Sequence, residues 1–209
     1  NQNLEIDVSL HIGSFIAVIV FFRKDIFNFI QNKDLFLKIL VGSIPVMIVG
    51  FILIKFNLIE QVRNIKVIGW TTLLFGILLF ISDKCKNQKK IKSNFTIKSA
   101  ILIGLFQILS LIPGVSRSGI TITGARILKF NRYEAAKISF LLSIPTLAAV
   151  SIFGINNLIK SNNFEFSLLM TVAVILSFIF SLITINIFLR FIKNFSLNIF
   201  VIYRVVLGV

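Results

Sequence analysis

The sequence predicts an all-α polytopic membrane protein, in which a bundle of transmembrane helices surrounds a broken helical hairpin. The chain of 209 residues is 56% hydrophobic, and its mean hydropathy is +0.95, whereas soluble domains are about 45–50% apolar. Several apolar runs approach or exceed the ~18 residues that indicate a membrane span, and they do not alternate as the strands of a membrane barrel do. A Pro-Gly pair at Pro113 and Gly114 breaks one of these runs, and Arg117 follows closely.

The apolar runs are separated by polar or basic loops, and each run predicts a helix. In chain order they are 8–22, 35–54, 65–82, 96–112, 119–128, 133–156, 166–189 and 197–209. Pro45 and Pro145 lie inside two of the runs and predict kinks. Run 119–128 is too short to cross a membrane alone, and run 96–112 is at best a membrane's width. We expect a single transmembrane domain, residues 1–209, from a longer protein, because the chain starts without Met and the last run looks cut short.

The charge of the chain indicates a membrane surface as its partner. Lys and Arg number 22 and Asp and Glu number 8, a net charge of +14, which in a soluble protein would suggest a nucleic acid. Here the basic residues cluster between the apolar runs, so we expect no nucleic acid and instead contact with the anionic lipids of the cytoplasmic face. The only cysteine, Cys85, excludes an internal disulfide.

The threading of residues 96–128 decides how the basic residues divide between the two membrane faces. If the stretch dips in and returns to the same side, fifteen basic residues lie on one face and four on the other, the four being Lys55, Arg63, Lys66 and Lys160. If the stretch crosses once, the division is eleven to eight. The positive-inside rule favours the first arrangement. We therefore predict a re-entrant hairpin that enters from the cytoplasm and has its tip at residues 114–119.

The predicted tip presents a helix N-terminus to a ligand. The first N–H groups of a helix have no partner within it, and together with the helix dipole they attract anions. We expect Ser118 to be the N-cap of the segment that ends at Leu128. Gly114 and Gly119 lack a Cβ and would let a ligand approach the backbone closely.

Polar side chains at the tip match a phosphate group. Arg117 carries a planar guanidinium fork that suits phosphate oxygens, and Ser116, Ser118 and Thr121 add hydroxyls on the same rim. An arginine at membrane depth costs at least ~2.5–3.5 kcal/mol, which favours a functional reason for its presence. The alternative is a kinked helix whose arginine pairs with a carboxylate for packing alone.

Residues 107–121, QILSLIPGVSRSGIT, resemble the second signature of the bacterial undecaprenyl-diphosphate phosphatases, the bacitracin-resistance phosphatases. That signature reads roughly Q-x-L-(A/S)-x-x-P-G-x-S-R-S-G-x-T. Residues 132–136 and 140–145 are similar to the next helix of the family, residues 8–14 to the segment after its first signature, and residues 201–204 to its C-terminal end. The resemblance therefore covers nearly the whole chain.

The resemblance implies two inverted repeats, each with a re-entrant helix pair, of which only the second pair is complete here. It implies an enzyme of the bacterial inner membrane whose site opens toward the periplasm. With a divalent cation, magnesium or calcium, such an enzyme removes the terminal phosphate of the C55 lipid diphosphate and so recycles the cell-wall lipid carrier. The other partners it implies are membrane lipids, and it leaves a homodimer open.

The resemblance also implies roles for individual residues. Catalytic roles would fall to Arg117, Ser116 and Ser118, with the arginine clamping the diphosphate and the serines binding its oxygens or orienting the arginine. Contacts to the diphosphate would come from Arg117, Ser118, Gly119, Thr121 and Gln107. Gln107 stands where the repeat-related signature has a glutamate.

The first signature of the family, roughly E-G-x-T-E-F-L-P-(I/V)-S-S-T-G-H, is absent from the chain. In the family it supplies glutamates thought to hold the metal and a histidine proposed to assist, and it should lie just before Asn1. His11 falls beyond that signature and is more typical of a core histidine. We therefore expect a fragment that contains no metal ligands, lacks about half of the catalytic set and is itself inactive.

Other interpretations stay open at this point. A secondary transporter or lipid flippase also uses inverted repeats with broken helices, and its helix N-terminus could carry a phosphate headgroup. A further interpretation is a purely structural bundle of kinked helices. Arg126 would line the entrance or pair locally, Glu134 would stabilise a helix start, and Arg204 within an apolar run suggests a functional residue.

Overall fold

The computed structural model describes residues 2–31, 33–56, 64–84, 88–160 and 168–208. Within these ranges the chain forms ten α-helices, a 3-10 turn at Leu109–Leu111 and one isolated parallel bridge between Lys89 and Phe130. The helices are α1 Gln2–Phe21, α2 Arg23–Gln31, α3 Lys33–Lys55, α4 Ile65–Asp83, α5 Ile91–Asn94, α6 Ile97–Ile108, α7 Arg117–Ile127, α8 Arg132–Lys160, α9 Leu168–Asn194 and α10 Asn198–Gly208. The predicted all-α architecture is confirmed. Cys85 and the start of run 166–189 lie outside the described residues.

Four of the described helices are long and apolar enough to cross a membrane, namely α3, α4, α8 and α9. The chain is therefore a multi-pass membrane protein, as its composition predicts. Run 8–22 lies in α1, which is not one of these four. Pro45 and Pro145 lie inside α3 and α8, so neither proline ends its helix.

Residues Asn1–Phe36 and Ser143–Phe188 form one compact unit. In this unit α1 and α9 approach closely, because a Cβ on Gly13 would lie only 2.5 Å from the carbonyl oxygen of Val174. The hydroxyl of Ser14 lies 3.1 Å from the hydroxyls of both Ser177 and Ser181. Small residues and hydroxyl pairs of this kind are what bring membrane helices together where no hydrophobic drive exists between them.

Residues Leu37–Leu142 and Leu189–Val209 form the second unit, which contains the hairpin. The hairpin consists of α6, the 3-10 turn and α7, and the two helices have 12 and 11 residues. At 1.5 Å per residue each is about 17 Å long, too short for a hydrocarbon core of ~30 Å. The rings of Phe95 before α6 and Phe130 after α7 meet edge to face at 6.0 Å. The chain thus returns to the end of the hairpin from which it came, which confirms the predicted helical hairpin, while its entry into the membrane from the cytoplasm stays a prediction.

A buried ion cluster joins the base of the hairpin to its neighbours. Asp83, the last residue of α4, accepts two hydrogen bonds from Arg132, at 2.8 and 2.9 Å. It forms an ion pair of 3.2 Å with Arg126 of α7 and accepts the backbone N–H of Leu197 at 3.1 Å. Asp83 directly follows the apolar run 65–82, and the sequence gives no sign that this carboxylate is buried between two arginines at the end of the helix. Arg126 forms the local pair that was one of its two predicted roles.

Replacement of Asp83 by Ala should strongly destabilise the second unit. Loss of one partner from a buried pair leaves the other charge uncompensated, which costs about 3–5 kcal/mol, and Arg126 is 4% exposed. The midpoint of thermal unfolding in detergent measures the effect. The matched control is Asp34→Ala on the exposed first turn of α3, which should change stability by less than about 1 kcal/mol. Equal midpoints for the two variants would show that the cluster contributes nothing.

Candidate functional site

The tip of the hairpin is attached to α4 through its backbone. The hydroxyl of Thr71 donates to the carbonyl of Pro113 at 2.6 Å, and that of Thr72 donates to the carbonyl of Gly114 at 3.2 Å. Gly114 has φ +86°, and a Cβ there would contact the Thr71 hydroxyl and lie 2.6 Å from the carbonyl oxygen of Ile68. Only glycine fits this left-handed, closely packed position. Sequence reasoning missed both threonines, since a threonine in an apolar helix usually bonds back to its own helix.

The helix that follows the tip begins at Arg117 and is capped by Ser116. The Ser116 hydroxyl accepts the N–H of Gly119 at 3.2 Å, and the backbone of Ser116 is extended. The predicted N-cap, Ser118, is wrong, because the helix starts two residues earlier than run 119–128 and Ser118 lies within its first turn. The hydroxyls of Ser116 and Ser118 lie 3.3 Å apart, and both residues are exposed.

Arg117 is half-buried at this helix N-terminus, and a carbonyl group orients it. Its Nη2 donates to the backbone oxygen of Leu142 in α8 at 3.2 Å. The hydroxyl of Ser43 in α3 also lies 3.3 Å from this oxygen, although the carbonyl of Ile39 in its own helix is closer to it, at 2.9 Å. Because the contact between Arg117 and Leu142 is neutral, it fixes the direction of the guanidinium without cancelling its charge.

A second guanidinium reaches the same place from α10. Arg204 is 7% exposed, and its Nη2 donates to the carbonyl of Gly114 at 3.0 Å. Its Nη1 is buried and has no hydrogen-bond partner within the described part of the chain. A Cβ on Gly119 would lie 2.7 Å from this Nη1. Because Gly119 has no side chain, the second arginine can reach the first turn of α7. The position of Arg204 within an apolar run suggested a functional residue, and the structure places it at this helix N-terminus, while its role stays a prediction.

Gln107 and Thr121 lie deeper than the exposed rim. Gln107 is fully buried in α6, and neither atom of its amide has a hydrogen-bond partner among the described residues. Thr121 is 1% exposed, and its hydroxyl lies 2.6 Å from that of Ser139 and within hydrogen-bond reach of the Arg117 carbonyl. The structure thus brings Ser116, Arg117, Ser118 and Gly119 together and places Gln107 and Thr121 deeper, while the catalytic and diphosphate-binding roles of all six residues stay predictions.

The residues at the tip do not fit a divalent cation. Guanidinium groups and helix N–H groups are donors, whereas magnesium and calcium need carboxylate and carbonyl oxygens. In the described ranges there is no group of three or more His, Cys, Asp or Glu residues that could hold a metal ion. The expected divalent cation stays a prediction from the resemblance, and the chemistry of the tip is that of an anion site.

Comparison with known proteins identifies the family. The family model described as "Bacitracin resistance protein BacA" matches residues 1–209. The chain belongs to this family. The undecaprenyl-diphosphatase of Pelagibacter ubique (strain HTCC1062) is 47% identical over 210 residues, covering 100% of this chain and 82% of that protein.

More distant relatives carry the same name. The undecaprenyl-diphosphatase of Roseobacter denitrificans is 39% identical over 221 residues, covering 100% of this chain and 83% of that protein. That of Saccharophagus degradans is 39% identical over 220 residues, covering 100% and 82%. Membership of the BacA family confirms the resemblance drawn from residues 107–121.

Proposed function

We propose that this BacA-family chain is an undecaprenyl-diphosphatase, which hydrolyses the C55 lipid diphosphate to the monophosphate in the bacterial cytoplasmic membrane. One observation carries the proposal: two guanidinium groups, Arg117 and Arg204, lie at one helix N-terminus inside a membrane protein. Full-length relatives of known name support the same substrate.

The electrostatics of the tip match a diphosphate. A buried guanidinium without a counterion is costly, so an unpartnered Nη1 such as that of Arg204 favours an anionic ligand beside it. The N–H groups of the first turn of α7 add the positive end of a helix dipole. Charge on a diphosphate is spread over several oxygens, and two planar forks from different helices bind such a group better than one.

The position of the tip along α4 supports access of the substrate from the membrane side opposite to the hairpin base. Thr71, which contacts the tip, is six residues from the first residue of α4, or about 9 Å along the helix axis. The base of the hairpin instead lies at the far end of α4, beside Asp83. If the basic residues mark the cytoplasmic face, the site opens toward the periplasm.

In the proposed reaction an oxygen nucleophile attacks the terminal phosphorus, the bond from that phosphorus to the bridging oxygen breaks, and the lipid monophosphate leaves. When water is the nucleophile, its oxygen becomes part of the inorganic phosphate. Phosphoryl transfer demands chiefly positioning and charge stabilisation. Arg117 and Arg204 would neutralise charge on the non-bridging oxygens, and the exposed hydroxyls of Ser116 and Ser118 would orient the phosphate. The apolar tail would lie in the surrounding lipid.

Release of inorganic phosphate tests the proposal. The full-length protein in detergent should release one phosphate per C55 lipid diphosphate and leave the monophosphate. Vesicles that contain the protein provide the comparison. Counterflow of labelled lipid phosphate across those vesicles without phosphate release would instead assign the protein to the transporters and refute the hydrolase.

A further inference from the structure

An open surface pocket at the base of the hairpin, called the cavity below, lies far from the tip and has the chemistry of a second anion site, with all four lining residues exposed. It has a volume of about 360 Å3 and is lined by Gln88, Lys89, Asn94 and Lys129. Arg117 lies at the other end of α7, twelve residues from Lys129, or about 18 Å at the rise of a helix. Among the described residues the lining contains two cations and two amides and no carboxylate.

The backbone fixes the two lysines side by side. The N–H of Lys89 donates to the carbonyl of Lys129 at 3.0 Å, and the N–H of Asn131 donates to the carbonyl of Lys89 at 3.2 Å. Phe130, between these bonds, is fully buried against Phe95. Two segments forty residues apart in sequence are thus joined by a buried anchor, which holds the backbones of the two lysines close together while both side chains are exposed.

Lys129 has a backbone conformation that favours glycine. Its φ is +72°, and it follows the last turn of α7, where the N–H of Phe130 bonds to the carbonyl of Ala125. Glycine is the favoured residue at this left-handed position after a helix, because any Cβ there is strained. A lysine at a glycine position is retained either for attraction to the helix dipole or for a ligand in the cavity.

We propose that this cavity binds the phosphate group of an anionic phospholipid. Two ammonium groups and two side-chain amides supply donors to phosphate oxygens, and the cavity is large enough for a headgroup. The base of the hairpin lies on the face where the basic residues concentrate, and anionic lipids enrich the cytoplasmic leaflet. The site is separate from the tip and does not depend on the reaction there.

Lipid retention by the full-length protein tests the site. We expect native mass spectrometry to detect phosphatidylglycerol bound in preference to phosphatidylcholine. Each lysine should contribute about fivefold, because each supplies a charged donor to the phosphate within the pocket, and fivefold corresponds to about 1 kcal/mol. The double variant Lys89→Gln/Lys129→Gln should therefore lose about 25-fold in preference. The matched control is Lys92→Gln/Lys98→Gln, which removes the same charge from exposed positions outside the cavity and should retain the preference.

The variant Lys129→Gly distinguishes the two explanations for a lysine at this position, a ligand in the cavity and attraction to the helix dipole. It relieves the positive φ, so the thermal midpoint should stay or rise, while the preference for phosphatidylglycerol should fall about fivefold. Loss of preference equal in the cavity and control variants would overturn the proposal, as would no preference in the parent protein. Displacement of the lipid by inorganic phosphate at millimolar concentration would assign the same site to free phosphate, and persistence of the lipid in phosphate buffer would assign it to the headgroup.

Discussion

Arg117→Ala should lower the rate of phosphate release from the C55 lipid diphosphate by about 10³-fold and leave the protein folded. Removal of one preoriented donor from a site of charge stabilisation costs about 10²–10³-fold, and arginines in phosphoryl transfer contribute at least as much. The fold should survive because the Leu142 carbonyl that accepts from Arg117 also lies 3.3 Å from the Ser43 hydroxyl. Steady-state phosphate release and the thermal midpoint of the same purified sample measure the two effects.

The variant Arg117→Lys tests whether the site needs the planar guanidinium group or only its positive charge. Lysine keeps the charge and loses the planar fork, so it cannot present two parallel N–H groups to the phosphate while it donates to the Leu142 carbonyl. We expect a loss of about 10–100-fold in rate. A purely structural arginine would make this variant silent, and that outcome would refute the anion site. Arg190→Ala on the exposed surface of α9 controls for the change in net charge and should retain full activity.

Sequence reasoning located the hairpin because the hairpin depends on local chemistry. Pro113 and Gly114 break the apolar run, although α6 already ends at Ile108 and passes into the 3-10 turn, and each arm is too short to cross a membrane alone. The division of basic residues predicts the direction of entry, which stays a prediction. These signals are short-range or statistical, and the contact between Phe95 and Phe130 agrees with them. The inverted repeat stays a prediction.

Contacts between distant segments could not be predicted from the sequence, and the reason is physical. Thr71 and Thr72 donate to a loop 42 residues away, and nothing local distinguishes them from threonines that bond within their own helix. Asp83 reads as the start of a loop, because a carboxylate at the end of an apolar run is normally solvated. Its burial depends on Arg126 and Arg132, more than forty residues later. The cap at Ser116 was missed because two serines flank Arg117 and either could cap a helix.

Gly104→Ala should destabilise the second unit and inactivate the enzyme together. A Cβ on Gly104 would collide with the carbonyl oxygen of Gly42, a backbone atom of α3 that cannot move aside like a flexible side chain. The two helices must then separate, and overpacking of this kind costs about 1–3 kcal/mol or more. Since α6 leads directly into the tip, a shift of α6 also displaces Arg117 from its position. We expect a thermal midpoint lower by about 5–10 °C and a large loss of phosphate release.

Gly50→Ala is the matched control, because Gly50 lies in α3 and faces the 3-10 turn of the hairpin. A Cβ on Gly50 meets only side-chain carbons of Leu111, at 3.7 and 4.0 Å, which is ordinary van der Waals contact. Alanine within a helix is favoured over glycine by about 0.5–1 kcal/mol, so this variant should unfold at the same temperature or higher and keep its activity. Both variants add one methyl group to a glycine in or beside the hairpin. A difference between them therefore comes from the collision with the α3 backbone and not from the added methyl group itself. Were Gly104→Ala to behave like Gly50→Ala, the close approach of α3 and α6 would not be what holds the hairpin in place.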